Sequence, residues 1–220
     1  MWSLSLGYLN LFQEMAAFLA VMFLFIYLLS KIKPIADVML IDKHHILSRI
    51  FYIAIFGSAV VLASIYTMNI QGVKINFRDS IAICADIIGG PSVGIMVGLI
   101  GGIFRFTLGG WTVGGCSFAT FIAGTAAAYI VHRRNITIEK INYKSIFLWA
   151  GVALLYQIVH VVIFTPILAF LMGTRPTYYS AFVGILPFIA PMLVVNGVAA
   201  ATILGLFHSI IVINHKNLKV

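Results

Sequence analysis

Two arginines, Arg78 and Arg105, are the residues of this sequence best suited to bind a ligand, and Gly89-Gly90-Pro91 lies midway between them. A guanidinium binds a carboxylate through two parallel, coplanar hydrogen bonds. If the chain turns at Gly-Gly-Pro, both arginines return to a similar depth, whereas one straight helix would separate them by about 40 Å. Paired buried guanidiniums repel each other and are costly to desolvate, and an anion between them relieves both costs. The spacing therefore predicts a small-carboxylate site between Arg78 and Arg105.

The alternative is that each arginine extends separately to lipid headgroups at its own helix end. We favour the paired site because the two positions are symmetric about the turn. Asn76, Cys116 and Thr120 are further candidate ligand contacts. Cys116 and Thr120 are four residues apart and share one helix face, so their thiol and hydroxyl suit a small polar pocket, although helix packing also explains them.

Other polar residues lie inside apolar stretches, where ionisable groups are candidates for function. Asp79 is either an N-cap of the helix after Arg78 or an internal partner of that arginine. Gln157 and His160 share a helix face, and they either hydrogen-bond between helices, which we favour, or line the pocket. Asp86 and Asn196 are pocket or helix-packing candidates, and Asn196-Gly197 favours a break in the last helix.

Enzyme and metal signatures are absent from the sequence. There is no P-loop, no Ser-His-Asp arrangement and no HExxH, and we predict no catalytic residue and no cofactor. Cys84 and Cys116 have no metal-ligand spacing, so small buried thiols are favoured over a disulfide or a metal site.

The composition indicates an integral membrane protein. Apolar residues make up 62% of the chain and charged residues 9%, against about 25% charged in soluble domains. We predict a single all-α membrane domain over residues 1–220. Its apolar stretches are 6–30, 50–68, 81–108, 116–131, 146–172 and 182–213.

The third stretch is too short for two crossings, which need about 40 residues. We therefore predict five transmembrane helices plus a re-entrant helical hairpin over 81–108, broken at Gly-Gly-Pro. Glycines at positions 90, 94, 98 and 102 predict a smooth face for close helix packing.

The net charge of +8 comes mainly from short loops, which argues against nucleic-acid binding. Basic residues cluster in 31–49, in 132–145 and near the C-terminus, so these segments are predicted to be cytoplasmic. The predicted topology is a multi-pass membrane protein with the N-terminus outside and the C-terminus inside.

The central motifs resemble those of the five-transmembrane sensor domains of LytS-type receptors. The match runs through Asn-x-Arg at 76–78, Gly-Gly-Pro-x-x-Gly at 89–94 and Arg-x-x-x-Gly-Gly at 105–110, followed by Cys116. Such domains precede a GAF-like module and a histidine kinase, and related ones precede diguanylate cyclases. Cys116 favours the kinase group.

The resemblance implies that the ligand is extracellular pyruvate, bound by Arg78 and Arg105 beside Cys116. Ala119 replaces a serine that the family often has, and Asp86 replaces a small residue. A homodimer, a response regulator and a kinase or cyclase output domain are the implied partners. Because no output domain follows Val220 in this sequence, we expect an isolated sensor part rather than a receptor that borrows its output from a partner.

Two other functions stay open. A small-solute transporter, or the substrate-binding subunit of an energy-coupling-factor-like transporter, would also bury a ligand near the outer face of a small helical bundle. A structural membrane protein without a ligand is the third interpretation.

Overall fold

The computed structural model describes residues 45–70 and 73–217, together with isolated positions between 13 and 31. The predicted first crossing over 6–30 and most of the 31–49 loop therefore fall outside the described residues. Four described helical segments are long and apolar enough to cross a membrane: Ile46–Ile65, Val113–Arg134, Tyr143–Leu171 and Tyr178–Ile210. The predicted all-α membrane bundle is confirmed.

Helix α1 spans Ile46–Ile65 and is followed by a short antiparallel ribbon that the sequence did not predict. Strand β1 is Met68–Ile70 and strand β2 is Val73–Ile75. Met68 pairs with Ile75, and Ile70 pairs with Val73. The ribbon leads directly into the segment that carries the first arginine.

The predicted break at Gly-Gly-Pro separates two helices, α2 over Arg78–Gly89 and α3 over Pro91–Thr107. Gly90 has a φ of 95°, which glycine adopts without strain. Pro91 is the first residue of α3, where its fixed φ suits a helix start. Helix α2 is about 18 Å long, against a hydrocarbon core of about 30 Å, so it cannot cross a bilayer alone. All of its residues are buried.

Helix α4, Val113–Arg134, packs closely against α3 through glycines of both helices. A Cβ at Gly98 would lie 3.0 Å from the Thr120 carbonyl oxygen, and one at Gly124 would lie 2.4 Å from the Gly94 carbonyl oxygen. Such spacing leaves room for hydrogen atoms only, as expected of small-residue helix interfaces. The predicted glycine face therefore packs α3 on α4.

The next span contains helix α5 at Tyr143–Val159, a π-helical turn at His160–Phe164 and helix α6 at Thr165–Leu171. The turn precedes Pro166, which has no N–H to donate to the preceding helical turn. The carbonyl of Val162 instead accepts a 2.9 Å hydrogen bond from the Tyr178 hydroxyl. Single π turns are frequent at functional sites, and this one begins at His160.

The last span begins with helix α7 at Tyr178–Ile185 and a 3₁₀ turn at Leu186–Phe188, and it ends with helix α8 at Ile189–Asn217. The expected helix break at Asn196 is wrong, because α8 runs through that residue without interruption. The interruption lies at Pro187 instead. Asn196 is retained inside the helix because its side chain has partners on α2, described below.

Candidate functional site

The fold brings Arg78 and Arg105 together. Arg78 is the first residue of α2, and Arg105 lies in the last turn of α3, so the hairpin returns them to the same end. Both side chains are 0% exposed, and the two guanidiniums are close enough to repel each other electrostatically. Within the described part of the chain, neither has a carboxylate at salt-bridge distance.

One complete edge of the Arg78 guanidinium has no hydrogen-bond partner among the described residues. Its Nη1 donates to the Ser64 hydroxyl at 3.3 Å. Its Nε and Nη2 atoms have no hydrogen-bond partner among the described residues. These two nitrogens form the side-on edge of the group, and this edge binds both oxygens of one carboxylate. Burying such donors without a partner is costly, so the arrangement points to an anionic ligand.

Arg105 fixes the loop that follows its own helix. Its Nη1 donates to the Gly109 carbonyl at 2.7 Å, and its Nη2 donates to the Thr112 hydroxyl at 3.0 Å. Its Nε has no partner among the described residues. Trp111 of the same loop lies against the Arg175 guanidinium, 4.3 Å from the ring centroid. Arg105 therefore holds the loop at 108–112 in place, and its Nε is left for a ligand.

Lys74 adds positive charge on strand β2. Its ammonium donates to the Leu108 carbonyl at 3.1 Å. The pKa of Lys74 lies below its ordinary value, first because of partial desolvation and then because of the charges of Arg105 and Arg78. The shift shows that the surroundings of the arginines carry a positive potential, which attracts anions.

Asp79 pairs with His160 across the bundle. Its Oδ2 lies 2.5 Å from His160 Nδ1, and its Oδ1 accepts a 2.8 Å hydrogen bond from Thr120. The sequence left Asp79 as an N-cap or a partner of Arg78, but the residue at the N-cap of α2 is Phe77. Asp79 also attracts Arg78 electrostatically. Sequence reasoning missed the pair with His160, because 81 residues separate the two positions.

Cys116 lies beside this pair. It is 1% exposed, and it interacts electrostatically with His160, Arg105 and Arg78. The Thr120 hydroxyl oxygen also lies 3.0 Å from the Cys116 carbonyl oxygen, a second acceptor for its one hydrogen, so the predicted shared face of these two residues is present. Gln157 approaches His160 Nδ1 at 3.4 Å. Thr120 and His160 thus contact Asp79, and Gln157 and Cys116 lie beside His160.

Asn76 and Asn196 connect the start of α2 to α8. Asn76 Oδ1 accepts from the Arg78 backbone N–H at 3.1 Å, and its Nδ2 donates to the Lys74 carbonyl at 3.2 Å. Asn196 Nδ2 donates to the Asn76 carbonyl at 3.1 Å, and Ser80 donates to Asn196 Oδ1 at 2.7 Å. Both asparagines therefore position the segment that carries Arg78.

Replacing Asn196 with leucine should destabilise the fold by about 1 kcal/mol, because the Asn76 carbonyl and the Ser80 hydroxyl lose a buried partner. Thermal unfolding of the purified protein measures this change. The matched control is Thr125→Val, since among the described residues the Thr125 hydroxyl hydrogen-bonds to the Phe121 carbonyl of its own helix and to no other helix. An equal change in both variants would contradict the linking role of Asn196.

Asp86 lies away from the arginines, two helical turns along α2 from Asp79. It is 0% exposed, and neither of its carboxyl oxygens has a hydrogen-bond partner in the described part of the chain. It packs against Gly94, where an added Cβ would overlap the carboxyl group. The structure thus places Asp86 at the contact between α2 and α3. Among the described residues, no group of three His, Cys, Asp or Glu side chains is arranged to hold a metal.

Comparison with known proteins identifies the family. Residues 32–210 match the model of the family described as 5TMR of 5TMR-LYT. The sensor histidine kinase BtsS of Escherichia coli K12 is 30% identical over 199 residues, covering 88% of this chain and 32% of the kinase. The corresponding BtsS protein of Shigella flexneri gives the same values.

A second relative, the sensor protein LytS of Bacillus cereus, is 39% identical over 67 residues, covering 28% of this chain and 11% of LytS. No solved structure matches the chain. The chain spans about a third of the length of the BtsS proteins it matches. The family match covers most of the chain and includes both arginines and the helices that position them. The chain therefore belongs to the 5TMR-LYT family, the LytS-type five-transmembrane sensor domains of membrane signal-transduction proteins.

Proposed function

We propose that this domain senses a small extracellular carboxylate, pyruvate, by binding it between Arg78 and Arg105. The observation that carries the proposal is the buried side-on edge of Arg78, whose Nε and Nη2 have no partner among the described residues. Arg105 supplies a further unpartnered N–H beside it. One carboxylate occupies these donors and offsets the repulsion between the two cations.

The site faces the outside of a bacterial plasma membrane in this proposal, with the C-terminus in the cytoplasm. Its support is the basic inner end of α4, where His132, Arg133 and Arg134 occupy the last turn. The arginine site lies at the opposite end of that helix, next to Thr112.

Cysteine labelling in intact cells tests this orientation. Thr107→Cys should react with a membrane-impermeant maleimide, and Arg134→Cys should react only after the cells are opened. Both positions are exposed, whereas the native Cys84 and Cys116 are buried. The reverse labelling pattern would contradict the proposed orientation.

The signal leaves the site through α8. Asn196 of α8 bonds to Asn76 and Ser80, which flank Arg78 in the sequence. A ligand that shifts Arg78 therefore acts on α8 through the hydrogen bonds that Asn196 makes with Asn76 and Ser80. Transmission requires that the ligand bind one packing of these helices better than another. In the full receptor, we propose that α8 leads to a kinase or cyclase output domain, with a homodimer and a response regulator as partners.

Calorimetry with a panel of small molecules tests the ligand class. Pyruvate should bind the purified domain, and acetate and lactate should bind more weakly. Methyl pyruvate should not bind, because its ester has no negative charge for the guanidiniums. Equal binding of pyruvate and methyl pyruvate would contradict the arginine–carboxylate contact.

The transporter alternative is separated by a flux measurement. Vesicles containing the purified domain should bind radiolabelled pyruvate up to one molecule per chain and should not accumulate more. Uptake beyond the binding capacity would replace the sensor proposal with a transporter.

A further inference from the structure

Three side chains beside the arginines lie next to one another in space, in the order thiol, imidazole and carboxylate. They are Cys116, His160 and Asp79. Asp79 holds His160 at Nδ1 with a 2.5 Å contact. His160 Nε2, on the other side of the ring, has no partner of hydrogen-bond geometry among the described residues. The Cys116 thiol nevertheless lies close enough to His160 for the two side chains to interact electrostatically.

The Asp79 contact determines which imidazole nitrogen can accept a proton. A carboxylate accepts hydrogen bonds, so Nδ1 donates its hydrogen to Asp79 and Nε2 is left as the basic nitrogen. The 3.4 Å approach of the Gln157 amide to Nδ1 is the weaker contact. Thr120 holds the other Asp79 oxygen in place at 2.8 Å. In sites of nucleophilic catalysis, a base lies next to the nucleophile and a third group orients that base. Cys116, His160 and Asp79 match these three roles in that order.

We propose that Cys116 binds the ligand covalently and reversibly, adding its thiol to the ketone carbon of a 2-oxo acid whose carboxylate is held by Arg78 and Arg105. The inference rests on the proposed function and specifies the ligand class. It accounts for the weaker binding expected of lactate and acetate, which carry a carboxylate but no electrophilic carbonyl carbon next to it.

The addition step is balanced without an oxidant. His160 Nε2 takes the proton from the thiol, and the sulfur forms a bond to the ketone carbon. The electron pair of the C=O π bond moves to oxygen, and His160 returns the proton to that oxygen. An S–H bond and a π bond are replaced by an S–C bond and an O–H bond, giving a thiohemiketal. Elimination of the thiol reverses the step and releases the ligand unchanged.

The buried surroundings favour this step. Cys116 and His160 are 1% and 2% exposed, so bulk water has little access to the reacting atoms. The positive charges of Arg78 and Arg105 stabilise negative charge that develops on sulfur and oxygen. The same charges fix the carboxylate, which limits the freedom of the adjacent ketone carbon.

Carbon NMR of the purified domain with pyruvate labelled with ¹³C at C2 tests the proposal. In the wild-type protein, the bound C2 resonance should move from the ketone range to that of a tetrahedral carbon. Cys116→Ser and Cys116→Ala should bind pyruvate at least tenfold more weakly, with the bound resonance left in the ketone range. The control Cys84→Ala should retain the tetrahedral resonance, since the Cys84 thiol lies against the Ala200 carbonyl of α8, at 3.8 Å, and interacts with Asp86 away from the arginines.

The outcomes separate the two proposals. A wild-type protein that binds pyruvate with its ketone resonance unchanged overturns covalent binding and leaves pyruvate sensing intact. A wild-type protein that does not bind pyruvate overturns the proposed function as well. Lactate should bind the wild-type and Cys116→Ala proteins equally, and a loss of lactate binding in Cys116→Ala would contradict the attribution of the tenfold loss of pyruvate binding to the covalent bond.

Discussion

Replacing Arg78 with lysine should weaken pyruvate binding by about 10- to 100-fold, although the substitution keeps the positive charge. The reason is the geometry of the unpartnered edge. Nε and Nη2 of Arg78 offer two parallel N–H donors to one carboxylate, whereas an ammonium is a single point charge with flexible donors. Lysine also loses the 3.3 Å contact to Ser64 that orients the guanidinium. Calorimetric titration with pyruvate measures the change.

The matched control is Arg134→Lys at the far end of α4, where the side chain is exposed. That variant should bind pyruvate with the wild-type affinity. Thermal unfolding of both variants shows whether the fold is retained. Wild-type affinity in Arg78→Lys would mean that charge alone, and not the bidentate edge, holds the ligand.

Replacing Gly124 with alanine should destabilise the domain by about 1–3 kcal/mol or more. The added Cβ would lie 2.4 Å from the Gly94 carbonyl oxygen, a contact with backbone that no side-chain rotation can relieve. Helices α3 and α4 must then separate. Since α3 carries Arg105 and α4 carries Cys116, pyruvate binding should weaken together with stability. The unfolding temperature and the affinity are the two measurements.

Gly151→Ala is the control for this substitution. A Cβ at Gly151 meets no atom of the described residues within 4 Å, and alanine favours a helix interior over glycine by about 1 kcal/mol. Gly151→Ala should therefore keep or slightly raise the unfolding temperature. A fall of the same size in both variants would show that the close α3–α4 contact is not what stabilises the fold.

The sequence predicted the parts of the fold that depend on local chemistry. The helix break follows from the missing N–H of Pro91 and the positive φ of Gly90. The membrane class follows from apolar stretches long enough to span a bilayer. The pairing of Arg78 and Arg105 was also predicted, because a turn between two equidistant residues brings them together whatever the other helices do.

Contacts between helices that lie far apart in the sequence could not be predicted from local patterns. The sequence shows that Gln157 and His160 share a helix face, but it does not show which helix that face meets. Asp79 became the partner of His160 because α2 is buried among the other helices. Asn196 was misjudged for the same reason. An asparagine before a glycine favours a helix break locally, but its hydrogen bonds to Asn76 and Ser80 keep it inside α8.

Calorimetric titration of pyruvate into the wild-type domain and into Arg78→Ala and Arg105→Ala tests the central claim most directly. We predict one pyruvate per wild-type chain. Either substitution should cost about 2–5 kcal/mol of binding free energy, roughly a 30- to 5,000-fold loss of affinity, because it leaves the other guanidinium to hold the carboxylate alone. Unchanged pyruvate affinity in both variants would contradict a carboxylate site built from these two arginines.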